Sequence, residues 1–216
     1  MRLSTALMGG SQQIPTVSGT PYGGGFYVGR MLVGAQKYAL IVAPKASGQT
    51  TSAWKATNTT TANTASAWDG FSNTAAMVAD AVNHAAAQWC AALSIGGFAD
   101  WFLPATEQLE LCYRNLKPRT NSNDAAAASG FNGNSDPQGI TYTASDPAQT
   151  PSDAFRYVVA TNVHGPEEFD VTAAYWTSTN ASAASTYTKE FLTGARADAT
   201  KVSSLLVRAC RMIKIG

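Results

Sequence analysis

The sequence predicts an α+β domain in which two helices are segregated from an antiparallel sheet. Two runs of β-forming residues come first, two helical stripes of apolar residues follow, and three more strand candidates occupy the C-terminal part. The chain has 216 residues, which fits one domain that carries a long insertion.

The first two strands are predicted at residues 26–33 and 38–42, which are rich in β-forming side chains. The four residues between them, 34–37, include a glycine and are compatible with a hairpin. Pro44 ends the second strand because it cannot donate a ladder hydrogen bond.

Residues 1–25 contain repeated glycines and two prolines, so we expect a glycine-rich N-terminal arm there and the domain itself at residues 26–216. Residues 47–66 consist mostly of Thr, Ala, Ser and Asn. This composition predicts a surface loop, with Trp54 and Trp68 as its anchors.

The first helix is predicted at residues 74–93, with Thr74 as the N-cap and Gly96 and Gly97 after its end. Apolar residues recur along one face of this segment. It is predicted to be the longest helix of the domain.

The second helix is predicted at residues 106–116, with Thr106 as the N-cap and Glu107 at the positive end of the helix dipole. Its buried stripe consists of Leu109, Cys112, Tyr113 and Leu116. Pro118 disfavours helix for the residue before it and marks the stop.

Residues 117–171 form a long irregular segment, in which only residues 154–159 have the composition of short structure. A compact domain seldom carries so long a loop unless the loop is functional or lies against a partner. The alternative is a flexible insertion. Strands are then predicted at 174–178, 187–192 and 202–213, with a turn at 194–198.

Composition restricts the function classes. Charged residues make up 13% of the chain, and the net charge is +1, so nucleic-acid binding has no electrostatic support. No apolar run is long enough for a membrane span, and we expect no membrane insertion.

The residues also favour a non-enzymatic protein without a cofactor. The two histidines, His84 and His164, lie on a predicted helix edge and in the irregular segment, where neither is placed beside a nucleophile. Glu167 and Glu168 are expected to be solvated in a turn. The aspartates lack the alternating spacing of a calcium loop, so no metal is expected.

Three cysteines, Cys90, Cys112 and Cys210, are too few for a zinc ribbon and are expected to be small buried residues. Arg208 and Arg211 are three apart on one predicted strand, so they should point to opposite faces. One arginine is expected to form a salt bridge at the core rim and the other to face solvent.

The candidate ligand-binding residues are Trp176, Asn180, Tyr187 and Lys189, on or beside the C-terminal strands. Rings mixed with amide and ammonium donors are typical of surfaces that recognise sugars or proteins. The alternative for Trp176 is that its ring fills the core.

Seven segments occur in the order seen in C-type-lectin-like domains of phage tail fibres and bacterial surface proteins. They are residues 69–74 (DGFSNT), 87–90 (AQWC), 96–104 (GGFADWFLP), 107–109 (EQL), 175–179 (YWTST), 191–194 (FLTG) and 207–211 (VRACR). The chain resembles that family from residue 22 to its end. The resemblance implies a C-type-lectin-like fold, in which antiparallel sheets are flanked by two helices and residues 117–171 form the long loop.

The resemblance implies a non-enzymatic receptor-binding (adhesion) protein of a phage virion, in a tail fibre or tail tip. Such a protein recognises a host surface glycan or protein through the long loop and the C-terminal sheet. The alternative is a structural decoration protein of a phage capsid or tail. Expected partners are the host receptor, other virion proteins through the N-terminal arm, and further copies of the chain in a homo-oligomer. The protein is expected in the virion after assembly in the host cytoplasm.

Two departures narrow what the resemblance implies. The Glu-Pro-Asn or Gln-Pro-Asp triplet and the Trp-Asn-Asp of calcium-dependent members are missing, so neither calcium nor monosaccharide binding is implied. The paired C-terminal cysteines of sulfatase-modifying enzymes are missing too. The family arrangement brings only Cys90 and Cys210 within reach of a bridge, and a reducing cytoplasm predicts that both remain thiols.

Overall fold

The structure, a computed structural model, describes residues 13–126 and 129–215. It confirms the α+β class, because these residues form mostly sheet together with four short helices. The helices are α1 (Lys45–Gly48), α2 (Gly70–Ala79), α3 (Ala85–Ala91) and α4 (Thr106–Leu116), and a 3₁₀ turn spans Val159–Thr161. The strands are β1 (Pro21–Tyr22), β2 (Gly25–Val33), β3 (Gln36–Val42), β4 (Gln49–Ala53), β5 (Ser135–Asp136), β6 (Tyr157–Val158), β7 (Val163–His164), β8 (Tyr175–Asn180), β9 (Ser185–Lys189), β10 (Arg196–Thr200), β11 (Ser204–Arg208) and β12 (Cys210–Lys214).

The first sheet joins the N-terminal hairpin to the last strand in the order β1-β2-β3-β12. The short strand β5 pairs with β2 at Arg30 and Met31. All pairs of this sheet are antiparallel, and Cys210 lies opposite Val42. The predicted β2–β3 hairpin is confirmed, with Gly34 at φ +60° in its turn. This left-handed conformation favours glycine.

The second sheet has the order β10-β9-β8-β11-β4. Its pairs are antiparallel except for β8 and β11, which run parallel where Leu206 lies opposite Tyr175. β6 and β7 form a separate hairpin within the insertion. The sheets are therefore antiparallel, as predicted, with one parallel junction.

Three predictions about where strands lie were wrong: a loop, a turn and one long strand. The predicted loop at 47–66 contains β4, and the predicted turn at 194–198 contains the start of β10. Both are edge strands, so they lack the buried alternation from which a strand is predicted. The single strand predicted at 202–213 is two strands, because the chain passes from one sheet to the other at Ala209, whose amide donates to the Gly48 carbonyl (2.9 Å).

The helix predicted at residues 106–116 is confirmed, but its N-cap is Ala105. The Gln108 side chain reaches back and accepts a hydrogen bond from the Ala105 amide (2.8 Å). Thr106 is the first helical residue, and its amide donates to the hydroxyl of Thr179 (3.1 Å). The helix start is thus fixed by β8.

The helix predicted at residues 74–93 is broken into α2 and α3. Asp69 caps α2 by accepting from the Ser72 amide (3.0 Å), so Thr74 is an interior residue. The break occurs at Asp80, which is extended (ψ 141°) and accepts from the Val82 amide (3.0 Å). A side chain that binds a nearby amide competes with the helical hydrogen bond, which explains the break.

The insertion at residues 117–171 is packed, so the described part contradicts the flexible alternative. Phe155 and Phe169 are fully buried, and the Phe169 ring stacks on Phe191 at 3.9 Å between centroids. Gln149 donates to the carbonyls of Pro118 and Tyr157 (both 2.7 Å). The insertion therefore shares the core of the domain.

Alternating residues of β3 face two separate parts of the core. Ala39 and Ile41 pack with Trp101, whereas Leu40 and Val42 pack with Leu109. The first sheet is therefore buried on both faces. None of the helices that the structure describes is long and apolar enough to cross a membrane.

The two tryptophans predicted as loop anchors differ. Trp54 is fully buried, and its indole donates to the Thr177 carbonyl (2.8 Å), as an anchor should. Trp68 is 40% exposed, so the prediction was wrong for this residue. Residues 1–12 of the predicted arm lie outside the described part, whereas residues 13–25 include β1, which pairs with β2.

Candidate functional site

The four predicted ligand residues do not share one surface. Trp176 is fully buried, and its indole donates to the Ser52 carbonyl (2.9 Å), so its ring fills the core. Lys189 is also buried, whereas Asn180 and Tyr187 are partly exposed. The prediction of an accessible ring at Trp176 was wrong, because this residue packs into the core cluster that contains Trp54.

One of these residues, Lys189, lines a cavity of about 210 Å³ between the insertion, α4 and the second sheet. The insertion contributes Gly130 and Phe131, and α4 contributes Thr106, Glu107 and Glu110. The sheet contributes Thr177, Thr188, Lys189 and Arg196. We call this cavity the insertion pocket.

Two carboxylates reach the insertion pocket from α4, because positions three apart lie on one helix face. Glu110 is held by three donors: Arg114 Nε (2.9 Å) and the Tyr142 hydroxyl (3.1 Å) on Oε1, and Asn132 Nδ2 (2.7 Å) on Oε2. Both of its oxygens are thus occupied. This network ties the insertion to α4.

Glu107 is less constrained. Its Oε2 accepts from Asn134 Nδ2 (2.8 Å), and its side chain is partly exposed at the pocket. Burial raises the pKa of its carboxyl, and the nearby Glu110 adds to the rise, whereas the hydrogen bonds from Asn134 oppose it. Glu107 is therefore the carboxylate that a ligand can reach.

Lys189 lies in the wall of the pocket with 4% of its surface exposed. Its ammonium donates to the Tyr142 hydroxyl (3.1 Å) and to the Gly194 carbonyl, and it lies 4.9 Å from the centre of the Tyr142 ring. Burial lowers the pKa of Lys189 to about 8, although Glu110 opposes this shift. The ammonium is held in place by the insertion.

The rim of the pocket is formed by Phe131 and Arg196. The Phe131 side chain is 58% exposed. The exposed Arg196 guanidinium lies 4.9 Å from the centre of the Tyr187 ring, and it has no carboxylate partner among the residues that the structure describes. An aromatic ring and a guanidinium with several N–H donors are thus available to a ligand.

Sequence reasoning missed most of this pocket. Phe131 and Arg196 were assigned to irregular and turn segments, and Glu107 was considered only for the helix dipole, whereas the fold brings Glu107 and Glu110 into one cavity. The i, i+3 spacing of the two glutamates could have indicated that both lie on one face of the helix. The exposed phenylalanine in a polar segment was another.

The expectation that His84 lies at a helix edge was wrong, whereas His164 lies in the insertion as predicted. His84 is fully buried, with its ring 4.9 Å from Trp54 and its Nε2 3.0 Å from Asp80. Burial lowers the pKa of His84. His164 Nδ1 lies 2.7 Å from Glu168, which also pairs with Arg119 (2.9 Å). Glu168 is therefore not a solvated carboxylate.

Both C-terminal arginines are buried, and they lie on strands of different sheets, β11 and β12. Arg208 pairs with Glu167 (2.7 Å), so this glutamate is not solvated in a turn either. Arg211 pairs with Asp100 through two hydrogen bonds of 2.7 and 2.9 Å. The expectation that one arginine faces solvent was wrong.

The three cysteines are buried thiols. Burial raises the pKa of Cys112, and a hydrogen bond with Cys210 adds to the rise. Cys112 and Cys210 belong to one buried cluster and Cys90 to the other, so Cys90 is not the only thiol placed close to Cys210.

No group of three or more His, Cys, Asp or Glu side chains in residues 13–126 and 129–215 is arranged to hold a metal ion. No family model and no curated protein matches this chain. The insertion pocket is therefore interpreted from its own chemistry.

Proposed function

We propose that this chain is a non-enzymatic receptor-binding protein of a phage virion, with a C-type-lectin-like domain that attaches to a host surface glycan or protein. The observation that carries the proposal is the insertion pocket, because the insertion and the C-terminal sheet build it together. These are the two parts of the chain for which the family resemblance implies ligand binding.

The exposed surface of the insertion supports a contact role. Phe131, Ile140, Val159 and Val163 each expose more than half of their surface, although the segment that carries them is packed against the core. Exposed apolar side chains on an ordered scaffold are typical of interaction surfaces. The scaffold holds them in place, which lowers the entropic cost of binding.

A glycan-cleaving enzyme is the competing class, because Glu107 and Glu110 line one cavity. A cleaving pair needs two available carboxyl groups, one to protonate the leaving oxygen and one to attack or to activate water, and only Glu107 is available here. Glu110 has both oxygens engaged by Arg114, Tyr142 and Asn132, so it is held as a structural anion. This arrangement favours binding without cleavage.

The alternative of a particle decoration protein is favoured by a second surface. Trp68, Phe71, Val78 and Phe98 are exposed on or near α2. Phe71 and Val78 line an apolar cavity of about 330 Å³. Exposed apolar patches of this kind mark protein–protein contact sites, which a protein that docks on its own particle would use.

The experiment is a binding assay with fluorescently labelled protein on intact cells of a diverse bacterial panel. The adhesion proposal predicts saturable binding to some strains, which excess unlabelled protein displaces. Binding to no strain, together with cosedimentation with phage particles that lack the protein, would refute adhesion and support decoration.

A further inference from the structure

We propose that the insertion pocket binds one neutral pyranose residue of a glycan, without calcium. The inference rests on the proposed function and deepens it, because it names the chemical class of the receptor. In a calcium-bridged site the metal ion binds the sugar hydroxyls. In the insertion pocket the donors and acceptors are side chains that line the cavity.

The charges that face the pocket are balanced. Two cations, Lys189 and Arg196, and two carboxylates, Glu107 and Glu110, line it. Arg114, which pairs with Glu110, lies outside the lining, and Arg196 and Glu107 are the cation and the carboxylate at the open side. A ligand with a full negative charge would meet Glu107, and a cation would meet Arg196. Like charges at short range disfavour binding, so a neutral ligand fits best.

The hydrogen-bonding groups suit hydroxyls, which donate and accept. Glu107 offers an acceptor and Arg196 offers several donors at the open side. The hydroxyl of Thr188 lines the same cavity, and it forms no side-chain hydrogen bond within the described residues. A ring that carries several hydroxyls can satisfy all three groups.

The exposed ring of Phe131 supplies the apolar part of the site. One face of a pyranose is made of C–H groups, and such a face packs on an aromatic ring. Phe131 is placed at the rim because Gly130, at φ +90°, turns the chain where the Tyr142 ring leaves no space for a side chain. The ring is thus oriented by the fold.

The size of the pocket limits the ligand. Its volume of about 210 Å³ is below the roughly 300–1,000 Å³ of pockets for drug-sized ligands. It corresponds to about seven waters of roughly 30 Å³ each. A single sugar ring fits, and the rest of the glycan would extend into solvent past Phe131.

The test is ligand-observed NMR with methyl glycosides of glucose, galactose, mannose and N-acetylglucosamine, with EDTA present. Methyl glucuronide and sialic acid are the acidic probes. We expect saturation transfer to at least one neutral glycoside and at least about tenfold weaker binding of the acidic probes, a factor that one unfavourable charge contact can supply. Equal or stronger binding of an acidic probe would overturn the inference.

The variants are Phe131→Ala, Glu107→Gln and Arg196→Ala, each checked for its fold by circular dichroism. Each should weaken glycoside binding at least about fivefold, as the loss of one ring or charged partner does. The matched control is Phe71→Ala, which removes a ring of similar exposure (52%) outside the pocket. Glycoside binding that none of the three variants weakens would place the site elsewhere and overturn the inference.

The two proposals fail separately. If the protein attaches to cells but binds no neutral glycoside, the inference is wrong and adhesion stands, with a protein receptor as the remaining partner. If a neutral glycoside binds in the pocket but the protein attaches to no cells, the inference stands and the virion role is wrong. Release of free sugar from aryl glycosides would overturn the non-enzymatic proposal alone, because cleavage still requires that the sugar ring binds.

Discussion

The ion pair formed by Arg208 and Glu167 connects the end of the insertion to the second sheet. Removing one partner should therefore destabilise the fold. Arg208 is fully buried, and its other nitrogens donate to the Ala43 carbonyl (2.7 Å) and to Gln49 (3.3 Å). Glu167 also accepts from the Lys45 amide (2.6 Å). Hydrogen bonds with neutral groups thus hold both side chains in place, and each side chain neutralises the charge of the other.

We predict that Glu167→Gln lowers the free energy of unfolding by about 3 kcal/mol. Removing one partner of a buried pair costs about 3–5 kcal/mol because a charge remains uncompensated. Glutamine keeps an acceptor oxygen, so we place the loss of stability at the low end of that range. For a domain of this size the melting temperature should fall by about 6–12 °C, at about 2–4 °C for each kcal/mol.

The assay is urea denaturation followed by tryptophan fluorescence. The double variant Arg208→Met with Glu167→Leu should lose less than the single variant, because no unpaired charge is left in the core. The control is Asp153→Asn, which removes an exposed pair of the same insertion and should cost less than about 1 kcal/mol. A loss below about 1 kcal/mol for Glu167→Gln would refute the claim that this pair anchors the insertion.

Three further predictions concern the core, the pocket and the thiols. Leu109→Ala should cost about 2–5 kcal/mol in urea denaturation, because its side chain is fully buried; a loss below about 1 kcal/mol would contradict this. The pKa of Lys189 is about 8 in the folded protein and about 10.4 when unfolded. The unfolded state therefore binds more protons between these values, so stability should rise from about pH 8 to about pH 10. Lys189→Met should reduce that rise without abolishing it, because burial also lowers the pKa of Lys201 to about 8. Iodoacetamide should leave Cys90 and Cys112 unmodified in the native protein, since burial raises the pKa of both thiols, and mass spectrometry showing native alkylation would contradict their burial.

The parts of the fold that sequence reasoning predicted are those with a regular apolar period. Residues 106–116 repeat buried side chains at helical spacing, and β2 and β3 alternate around a glycine turn. A period is visible in one segment because it reflects one face against one core. Helix α4 and the hairpin could therefore be placed without tertiary information.

The missed elements depend on contacts between distant segments. β10 is exposed at the edge of its sheet, and the break between α2 and α3 depends on the side chain of Asp80. Lys189 was expected at the surface, because nothing in its own strand shows that Tyr142 covers it. Burial by a remote loop leaves no local pattern, so the candidate site was predicted only in part.

The most direct measurement of the central claim compares cell attachment by two double variants. Phe131→Ala with Arg196→Ala alters the insertion pocket, whereas Phe71→Ala with Val78→Ala alters the apolar surface on α2. On a strain that binds the labelled wild-type protein, we expect the first variant to lose attachment and the second to keep it. Normal attachment by the first variant, with loss in the second, would place the receptor contact on the apolar surface of α2 instead of the insertion pocket.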